Sequence, residues 1–217
     1  MVNPYQEKTA EYFANVRREI LPLLPANAAR IFEVGCGAGD TLYFLKRHSK
    51  CCWAGGIELF HHAAENAREK LDLVLEGSIE DPTLSLDNES IDVILCLDVL
   101  EHLIDPWAVI CRLHAWLKPG GMLICSIPNV RNFRVVLPLL FLGRWRYTQY
   151  GILDRTHLRF FTKESAIALV ECSGLLVDTV RSTGLDKFDK VAIANLLSLT
   201  IFRPLFEYQY LIRAIKT

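Results

Sequence analysis

The sequence predicts an α/β domain built on a mostly parallel β-sheet with helices on both faces. Two observations predict this class: apolar strand-like runs alternate with helix-like segments, and the runs are short and nearly continuous in apolar residues. The strand-like runs are 30–34, 52–57, 72–76, 91–97 and 121–127. The helix-like segments are 40–48, 60–70 and 106–117. The length of 217 residues fits one such domain with a sizeable core.

The segments before and after this alternation also carry patterns that predict secondary structure. Residues 5–21 are predicted to form a helix that Pro22 and Pro25 end, within a leading segment 1–29. After Pro128 the alternation stops, and residues 129–161 are read as an insertion. Further predicted elements are a helix from Thr162 to about Cys172, a strand at 175–181, an apolar helix-like run at 191–202 and a last strand at 206–212.

Composition limits the partners and the compartment. The 24 basic and 25 acidic residues give a net charge of −1, so nothing favours nucleic acid as a partner. The seven cysteines contain no C-x-x-C pair, which favours a reducing compartment over disulfides or zinc. The first ten residues are polar, and no apolar run reaches the ~18 residues of a membrane span. We therefore expect a cytoplasmic protein without a metal site.

The glycine-rich stretch from Ile31 to Leu42 is the main functional signal. It combines an apolar strand, glycines at positions 35, 37 and 39, and a helix that begins near Asp40. A dinucleotide fingerprint would place its third glycine at position 40, where Asp40 would repel a pyrophosphate. The stretch therefore predicts an adenosine-type ligand without phosphates, and it disfavours a nicotinamide-dependent oxidoreductase.

Three further features follow at spacings that suit such a ligand. Glu58 ends a predicted strand 58 − 39 = 19 residues after Gly39, near the ~20 expected for an acid that binds ribose hydroxyls. The segment Leu75–Glu80 carries a Gly–Ser turn, and the strand 91–97 opens into polar groups at its carboxyl end. In parallel sheets, ligands bind outside the carboxyl ends of the strands.

Together with the Lys-Pro-Gly-Gly turn before residue 122, these motifs resemble class I S-adenosylmethionine (SAM) methyltransferases. The resemblance covers residues 31–127 and implies a Rossmann-like methyltransferase fold of about seven strands, the last one antiparallel, with SAM as cofactor. The cofactor residues it implies are Glu33, Gly35, Cys36, Gly37, Ala38, Gly39, Glu58, Leu59, Gly77, Ser78, Ile79, Glu80, Leu97, Asp98, Val99 and His102, with Tyr5 and Tyr12 closing over the site. Ser78 stands where the family commonly has Asp, so Ser78, Glu80 or Asp81 could bond the adenine amino group.

A second, more local resemblance concerns the acceptor. Residues 150–162, with the preceding Glu101-His102, are similar to ubiquinone-biosynthesis O-methyltransferases and to methyltransferases of bacterial polysaccharide synthesis. This implies methyl transfer to a hydroxyl of a small, quinone-type or glycan-type acceptor. Because such an acceptor needs a base near neutral pKa, His157 is the first catalytic candidate and His102 the second. Either histidine could instead be structural, and a SAM-binding protein without catalysis is the competing function.

The insertion 129–161 is predicted to form the acceptor lid. The apolar run within 133–147, followed by Arg144-Trp145-Arg146, suits either a cap folded on its own core or an interfacial helix against a lipid-linked acceptor. Peripheral membrane contact and the oligomeric state therefore stay open at this point.

Overall fold

The computed structural model of the chain describes residues 15–48, 50–183 and 202–217. Its strands are β1 (Arg30–Val34), β2 (Trp53–Glu58), β3 (Leu73–Glu76), β4 (Ile91–Leu97), β5 (Leu117–Pro128), β6 (Leu175–Thr183) and β7 (Gln209–Lys216). Its α-helices are α1 (Asp40–Arg47), α2 (His61–Arg68), α3 (Pro106–Trp116), α4 (Phe133–Leu142), α5 (Lys163–Glu171) and α6 (Arg203–Phe206). Two 3₁₀ helices span Arg18–Leu23 and Leu100–His102.

The seven strands form one sheet in the order β3-β2-β1-β4-β5-β7-β6. Strands β1 to β5 are parallel, and β7 lies antiparallel between β5 and β6. The predicted fold class, including the antiparallel last strand, is confirmed. Strand order reverses between β1 and β4, which leaves a crevice at their carboxyl ends where ligands bind in sheets of this kind.

The central strand β4 shows why the chain forms this sheet. Six of its seven residues are buried, because helices cover both faces of the sheet. Successive side chains of a strand point to opposite faces. Ile94 accordingly packs in the core on one face with Leu113 of α3, and Leu95 packs in the core on the other face with Leu42 of α1.

The structure corrects the predicted leading helix where it is described. A 3₁₀ helix occupies residues 18–23, and Pro22 lies inside it rather than after its end. Pro22 is the fifth of its six residues, and because proline has no amide hydrogen to continue a helix, the 3₁₀ helix ends one residue later at Leu23. The remainder of the prediction, including Tyr5 and Tyr12, lies outside the described residues.

The first residues of two later strands also differ. Strand β5 begins at Leu117 instead of residue 121, since Leu117 already pairs with Ile91 before the Pro-Gly-Gly irregularity. Strand β7 begins at Gln209 instead of 206, because the short helix α6 occupies residues 203–206. The predicted helix at 191–202 falls almost entirely outside the described residues.

The start of α5 is as predicted, but its cap is more complete. The Thr162 hydroxyl accepts a hydrogen bond from the Ser165 amide, and the Ser165 hydroxyl accepts one from the Thr162 amide. Ser165 thus takes the part that an acid has in the usual capping box.

Candidate active site

A cavity of about 610 Å³ opens at the carboxyl ends of β1, β2 and β4. Its volume is in the range of small-molecule and cofactor sites. It is lined by fourteen of the predicted cofactor residues: Glu33, Gly35, Cys36, Gly37, Glu58, Leu59, Gly77, Ser78, Ile79, Glu80, Leu97, Asp98, Val99 and His102. Ala38, Gly39 and His157 lie outside the lining, and Tyr5 and Tyr12 lie outside the described residues. The lining also includes Asn15, Arg17, Val34, Thr41, Ile57, Phe60 and Leu103.

The glycine turn between β1 and α1 forms the cavity floor. Gly35 has a φ of +68°, and a Cβ added there would lie 2.8 Å from Cγ2 of Val99. Gly39 caps α1 in the left-handed conformation, and a Cβ there would come within 3.3 Å of the Ala67 backbone. The first glycine therefore lets the backbone approach the cavity, and the third lets α1 pack closely against α2.

Asp40, which follows the turn, does not face the cavity. Its carboxylate pairs with Lys70 Nζ at 2.7 Å, and the same ammonium donates to the Ala38 carbonyl at 2.8 Å. The ion pair thus turns the negative charge at the helix start away from the ligand side.

Glu58 is held in place by the backbone of two loops. One carboxylate oxygen accepts from the Gly37 amide at 2.8 Å, and the other accepts from the Phe60 amide at 3.0 Å. Burial raises the pKa of Glu58, and these amide hydrogen bonds oppose the rise. The carboxylate keeps lone pairs for further donors, such as the two hydroxyls of a ribose.

Glu33 is the most unusual group in the lining. It is only 4% exposed, and its Oε2 has no hydrogen-bond partner among the described residues. Burial raises its pKa to about 8, against the opposing effect of Arg17, and neighbouring Glu58 raises it further. A buried carboxyl oxygen without a partner is suited to receive an ammonium group from a ligand.

Arg17 belongs to the site, although the sequence pattern did not indicate it. Its guanidinium donates to Oδ2 of Asp98 at 2.6 Å, and its amide donates to the Thr41 hydroxyl at 3.2 Å. Asp98, with a φ of +57°, is also held by Ser126, whose hydroxyl donates to Oδ1 at 2.8 Å. The leading segment is therefore fixed to the carboxyl end of β4 by one arginine, a contact between residues 81 positions apart.

The segment after β3 is arranged by its own hydrogen bonds. The Ser78 hydroxyl accepts from the Glu80 amide at 3.1 Å, and Glu80 Oε1 accepts from the Asp105 amide at 2.8 Å. Asp81 lies outside the lining and accepts from the amide and hydroxyl of Thr83. Of the three residues considered for the adenine, Ser78 and Glu80 face the cavity.

His102 and His157 lie next to each other at the far side of the cavity. Their rings are 4.6 Å apart in an edge-to-face arrangement. Nδ1 of His102 lies 3.1 Å from the Thr156 carbonyl, and Nδ1 of His157 lies 2.9 Å from the Ile152 carbonyl. Because a carbonyl only accepts, both Nδ1 atoms carry hydrogen, and each neutral ring then has its lone pair on Nε2.

Glu101 lies behind this pair of rings. It is 1% exposed, and its Oε1 is 3.9 Å from Nε2 of His157, which is too long for a hydrogen bond but close enough for charges to interact. Burial raises the pKa of Glu101 well above its ordinary value, and nearby Asp98 adds to the rise. Its burial was not evident from the sequence, in which Glu101 follows an apolar run in a polar context.

Glu101, His102 and His157 are also residue types that bind metal ions. Each offers one donor atom, and the three atoms lie within 4.8 Å of one another. These residues could therefore either move a proton or hold a divalent cation, which the sequence alone did not predict. His61, by contrast, is exposed on α2 and pairs with Glu65 and Glu76.

Comparison with known proteins places this site in a family. Residues 5–180 match the family described as a methyltransferase domain. The chain belongs to this family. The ubiquinone biosynthesis O-methyltransferase of Cereibacter sphaeroides is 27% identical over 186 residues, which cover 84% of this chain and 70% of the relative. The enzyme of the same name from Coxiella burnetii is 28% identical over 159 residues, covering 67% and 66%.

Solved structures agree with the fold. A SAM-dependent methyltransferase from Mesorhizobium loti superposes with a TM-score of 0.66 at 19% identity, covering 96% of this chain and 99% of the other. One from Archaeoglobus fulgidus gives 0.67 at 18% identity, covering 96% and 95%. The protein is thus a class I SAM-dependent methyltransferase, and the buried Glu33 oxygen and the glycine floor fit that cofactor.

Proposed function

We propose that this methyltransferase transfers the methyl group of SAM to a hydroxyl of a small, quinone-type or glycan-type acceptor, with His102 as the base. The observation that carries the proposal is the position of His102, which lines the cavity beside Asp98 and Val99. The local resemblance of residues 150–162 and the relationship to ubiquinone biosynthesis O-methyltransferases support a hydroxyl acceptor.

The cofactor would be held by the groups described above. The amides of the glycine turn and the Glu33 carboxylate would bind the methionine part, and Glu58 would accept from the ribose hydroxyls. Ser78 and Glu80 would lie along the adenine. When bound, SAM supplies a methyl group that its sulfonium makes electrophilic, so the protein has chiefly to position the acceptor.

His102 is better placed than His157 to take the acceptor proton. The hydrogen bond from Nδ1 to the Thr156 carbonyl fixes the tautomer in which Nε2 is basic. His157 is 8% exposed and lies behind the His102 ring, outside the lining. We therefore assign His102 as the base and His157 as a positioning residue, which reverses the order that the sequence suggested.

Glu101 would assist when the positive charge forms. Its carboxyl is buried, and burial raises its pKa, which favours the protonated form over the carboxylate. An imidazolium next to it would favour the carboxylate, since opposite charges in a buried site stabilise each other. The Ile152 carbonyl, which accepts from Nδ1, would keep His157 oriented behind His102.

The test compares His102→Ala with His157→Ala in a methyl-transfer assay on catechols, hydroquinones and sugar hydroxyls. We expect turnover by His102→Ala to fall by about 10²–10⁴, the usual contribution of a general base, with affinity for S-adenosylhomocysteine unchanged. His157→Ala should lose less and shift the pH profile. His62→Ala, whose side chain is 96% exposed, serves as the control.

Other outcomes would contradict the proposal in different ways. Full turnover by His102→Ala would show that His102 is not the base. Methyl transfer to amines alone would show that the acceptor group is not a hydroxyl. If a chelator abolished activity and Mg²⁺ restored it, Glu101, His102 and His157 would instead be ligands of a divalent cation. Tight binding of S-adenosylhomocysteine with no turnover on any acceptor would support a non-catalytic role.

A further inference from the structure

The helix α4 leaves five of its nine apolar side chains exposed to solvent, and four of them lie in its last turn. Of its residues only Val135 is buried. The exposed apolar residues, which we call the α4 surface, are Leu137 (41%), Leu139 (46%), Leu140 (69%), Phe141 (73%) and Leu142 (59%). Monomeric proteins rarely expose so many adjacent large apolar side chains without a partner for them.

The charged residues that flank the α4 surface in sequence all have one sign. No Asp or Glu occurs from residue 106 to 153, a stretch that carries Arg131 and Arg134 before the helix core and Arg144 and Arg146 after it. All four arginines are exposed. Arg131, Arg144 and Arg146 take part in no ion pair with the residues that the structure describes. In a chain of net charge −1, this local excess is complementary to an anionic surface.

The helix is also held firmly at its base and open at its tip. Buried Asn132 caps α4 by accepting from the Arg134 amide, and its own amide group donates to the Glu207 carbonyl at 3.0 Å. At the other end Gly143 takes the left-handed conformation and stops the helix, so that Arg144 follows directly after the most exposed residues. The apolar tip and its arginine rim are therefore presented together by a fixed stem.

From these observations we propose that the α4 surface binds the surface of a lipid bilayer that contains anionic headgroups. Ten residues of helix are ~15 Å long, about half of a bilayer core, so α4 fits the interface and not a span. Among the described helices, none is long and apolar enough to cross a membrane. Apolar residues beside arginines, with the exposed Tyr147 and Tyr150 following, are the composition of a helix at the headgroup boundary.

The bilayer is favoured over a protein partner by the charge and the exposure of the α4 surface. A protein partner would usually bury apolar anchors in a packed pocket with a polar rim of both signs. Here the exposed residues form the last turns of α4, and the charged residues of the segment 131–146 are all arginines. The helix follows β5 by only four residues and leaves the same edge of the sheet that carries the cavity.

The test is flotation of the full chain with vesicles of phosphatidylcholine alone and of phosphatidylcholine mixed with phosphatidylglycerol. We expect binding to the mixed vesicles that falls with added salt. Leu140→Gln with Phe141→Gln should weaken it by on the order of a hundredfold, from the loss of buried apolar area. Arg144→Gln with Arg146→Gln should weaken it by about twenty-fold or more, at about fivefold per arginine.

Matched controls separate this surface from general stickiness. Leu176→Gln removes a leucine of β6 that is 56% exposed, and Arg47→Gln with Lys50→Gln removes two charges at the opposite edge of the sheet. Neither should change vesicle binding. Because no acceptor or SAM is present, the result is independent of the proposed base and acceptor.

Three results would overturn the proposal. The first is failure of the natural chain to bind either kind of vesicle. The second is equal binding by the α4 variants and the controls. The third is a dimer in sedimentation, without vesicle binding, that the Leu140→Gln and Phe141→Gln changes dissociate. That result would mean that the α4 surface binds a second copy of the chain.

Discussion

The carboxyl edge of the sheet carries two regions that differ in how completely the chain buries them. Around the ends of β1 and β2, Glu33 and Glu58 are at most 5% exposed, and the loops that surround them are fixed by backbone hydrogen bonds. Beyond β5, by contrast, α4 buries only Val135 and leaves its tip in solvent. The described part of the cofactor region is thus largely buried, whereas the region after Pro128 exposes the apolar end of α4.

The difference has a physical cause. A cofactor of fixed structure can be bound by a site whose groups are already oriented, and orienting them in advance lowers the entropy lost on binding. A region that binds the acceptor or a membrane surface needs apolar and charged side chains at the place of contact. Such side chains must stay exposed in the free protein, at a cost in solubility that the arginines around α4 reduce.

The largest expected effect tests the cofactor region directly. Glu58→Ala should weaken binding of S-adenosylhomocysteine by about a thousandfold, because two charge-assisted hydrogen bonds to the ribose are lost. Glu76→Ala is the matched control, since Glu76 pairs with Glu58 across β2 and β3 but does not line the cavity. Calorimetric titration measures both. Equal affinity of the two variants would contradict the assignment of Glu58.

Replacing a glycine of left-handed conformation by alanine should lower the unfolding free energy more in the cofactor region than after β5. In Gly35→Ala the new methyl group would meet Val99 at 2.8 Å, so we expect a loss of about 3 kcal/mol in unfolding free energy. In Gly143→Ala nothing lies within 4 Å of the new atom, so only the backbone cost of about 1 kcal/mol remains. Urea denaturation compares the two, and similar losses would show that crowding at Gly35 is not decisive.

The buried Glu33 predicts a pH effect on the stability of the fold. Its pKa is about 8 in the fold and ~4.3 in an unfolded chain, so between these values the folded state binds more protons. Stability should therefore fall as the pH rises from ~5 to 8, with the loss complete above the folded pKa. Glu33→Gln should reduce this fall in denaturation experiments.

The same Glu33→Gln change should weaken binding of S-adenosylhomocysteine, because the ligand ammonium would lose its carboxylate. A variant that is more stable in mild alkali yet binds the ligand less well would identify Glu33 as a group kept for binding at a cost in stability. Unchanged affinity would mean that the methionine part of the ligand lies elsewhere.

The smallest expected effect concerns the cap where the region after β5 rejoins the fold. Ser165→Ala removes one hydrogen bond of the Thr162–Ser165 pair and should cost about 0.5–1 kcal/mol in unfolding free energy. Glu164→Ala, in the same exposed turn, is the control. Thermal denaturation at one protein concentration measures both, and a larger loss for Glu164→Ala would indicate that the helix dipole matters more than the cap.

Local patterns account for much of what the sequence predicted. The nearly continuous apolar run of β4 predicted its observed bounds of 91 and 97, and the glycine turn predicted a ligand site where the cavity lies. Both signals lie within a dozen residues, where periodicity and backbone conformation dominate. The irregularity in β5 misled the prediction because Pro119 and Gly120 are typical of turns, although Leu117 already pairs with β4.

Contacts between distant residues account for what the sequence did not show. Arg17 meets Asp98 only once the sheet has formed, and nothing near Arg17 in sequence distinguishes it from a solvated charge. The burial of Glu101 likewise depends on the segment 154–159 folding over it. The order of His102 and His157 relative to the cavity could be read only from their positions in three dimensions.

Glu101 joins the two regions through its main chain as well as its side chain. Its carbonyl oxygen accepts hydrogen bonds from the amides of both Leu158 and Arg159, at 2.8 and 3.0 Å, while its carboxyl lies beside His157. For protein engineering, this makes residues 100–103 and 154–159 a single exchangeable unit. A chimera that imports the insertion of a relative to change acceptor choice should carry both pieces across together, since either alone would break the joint between them.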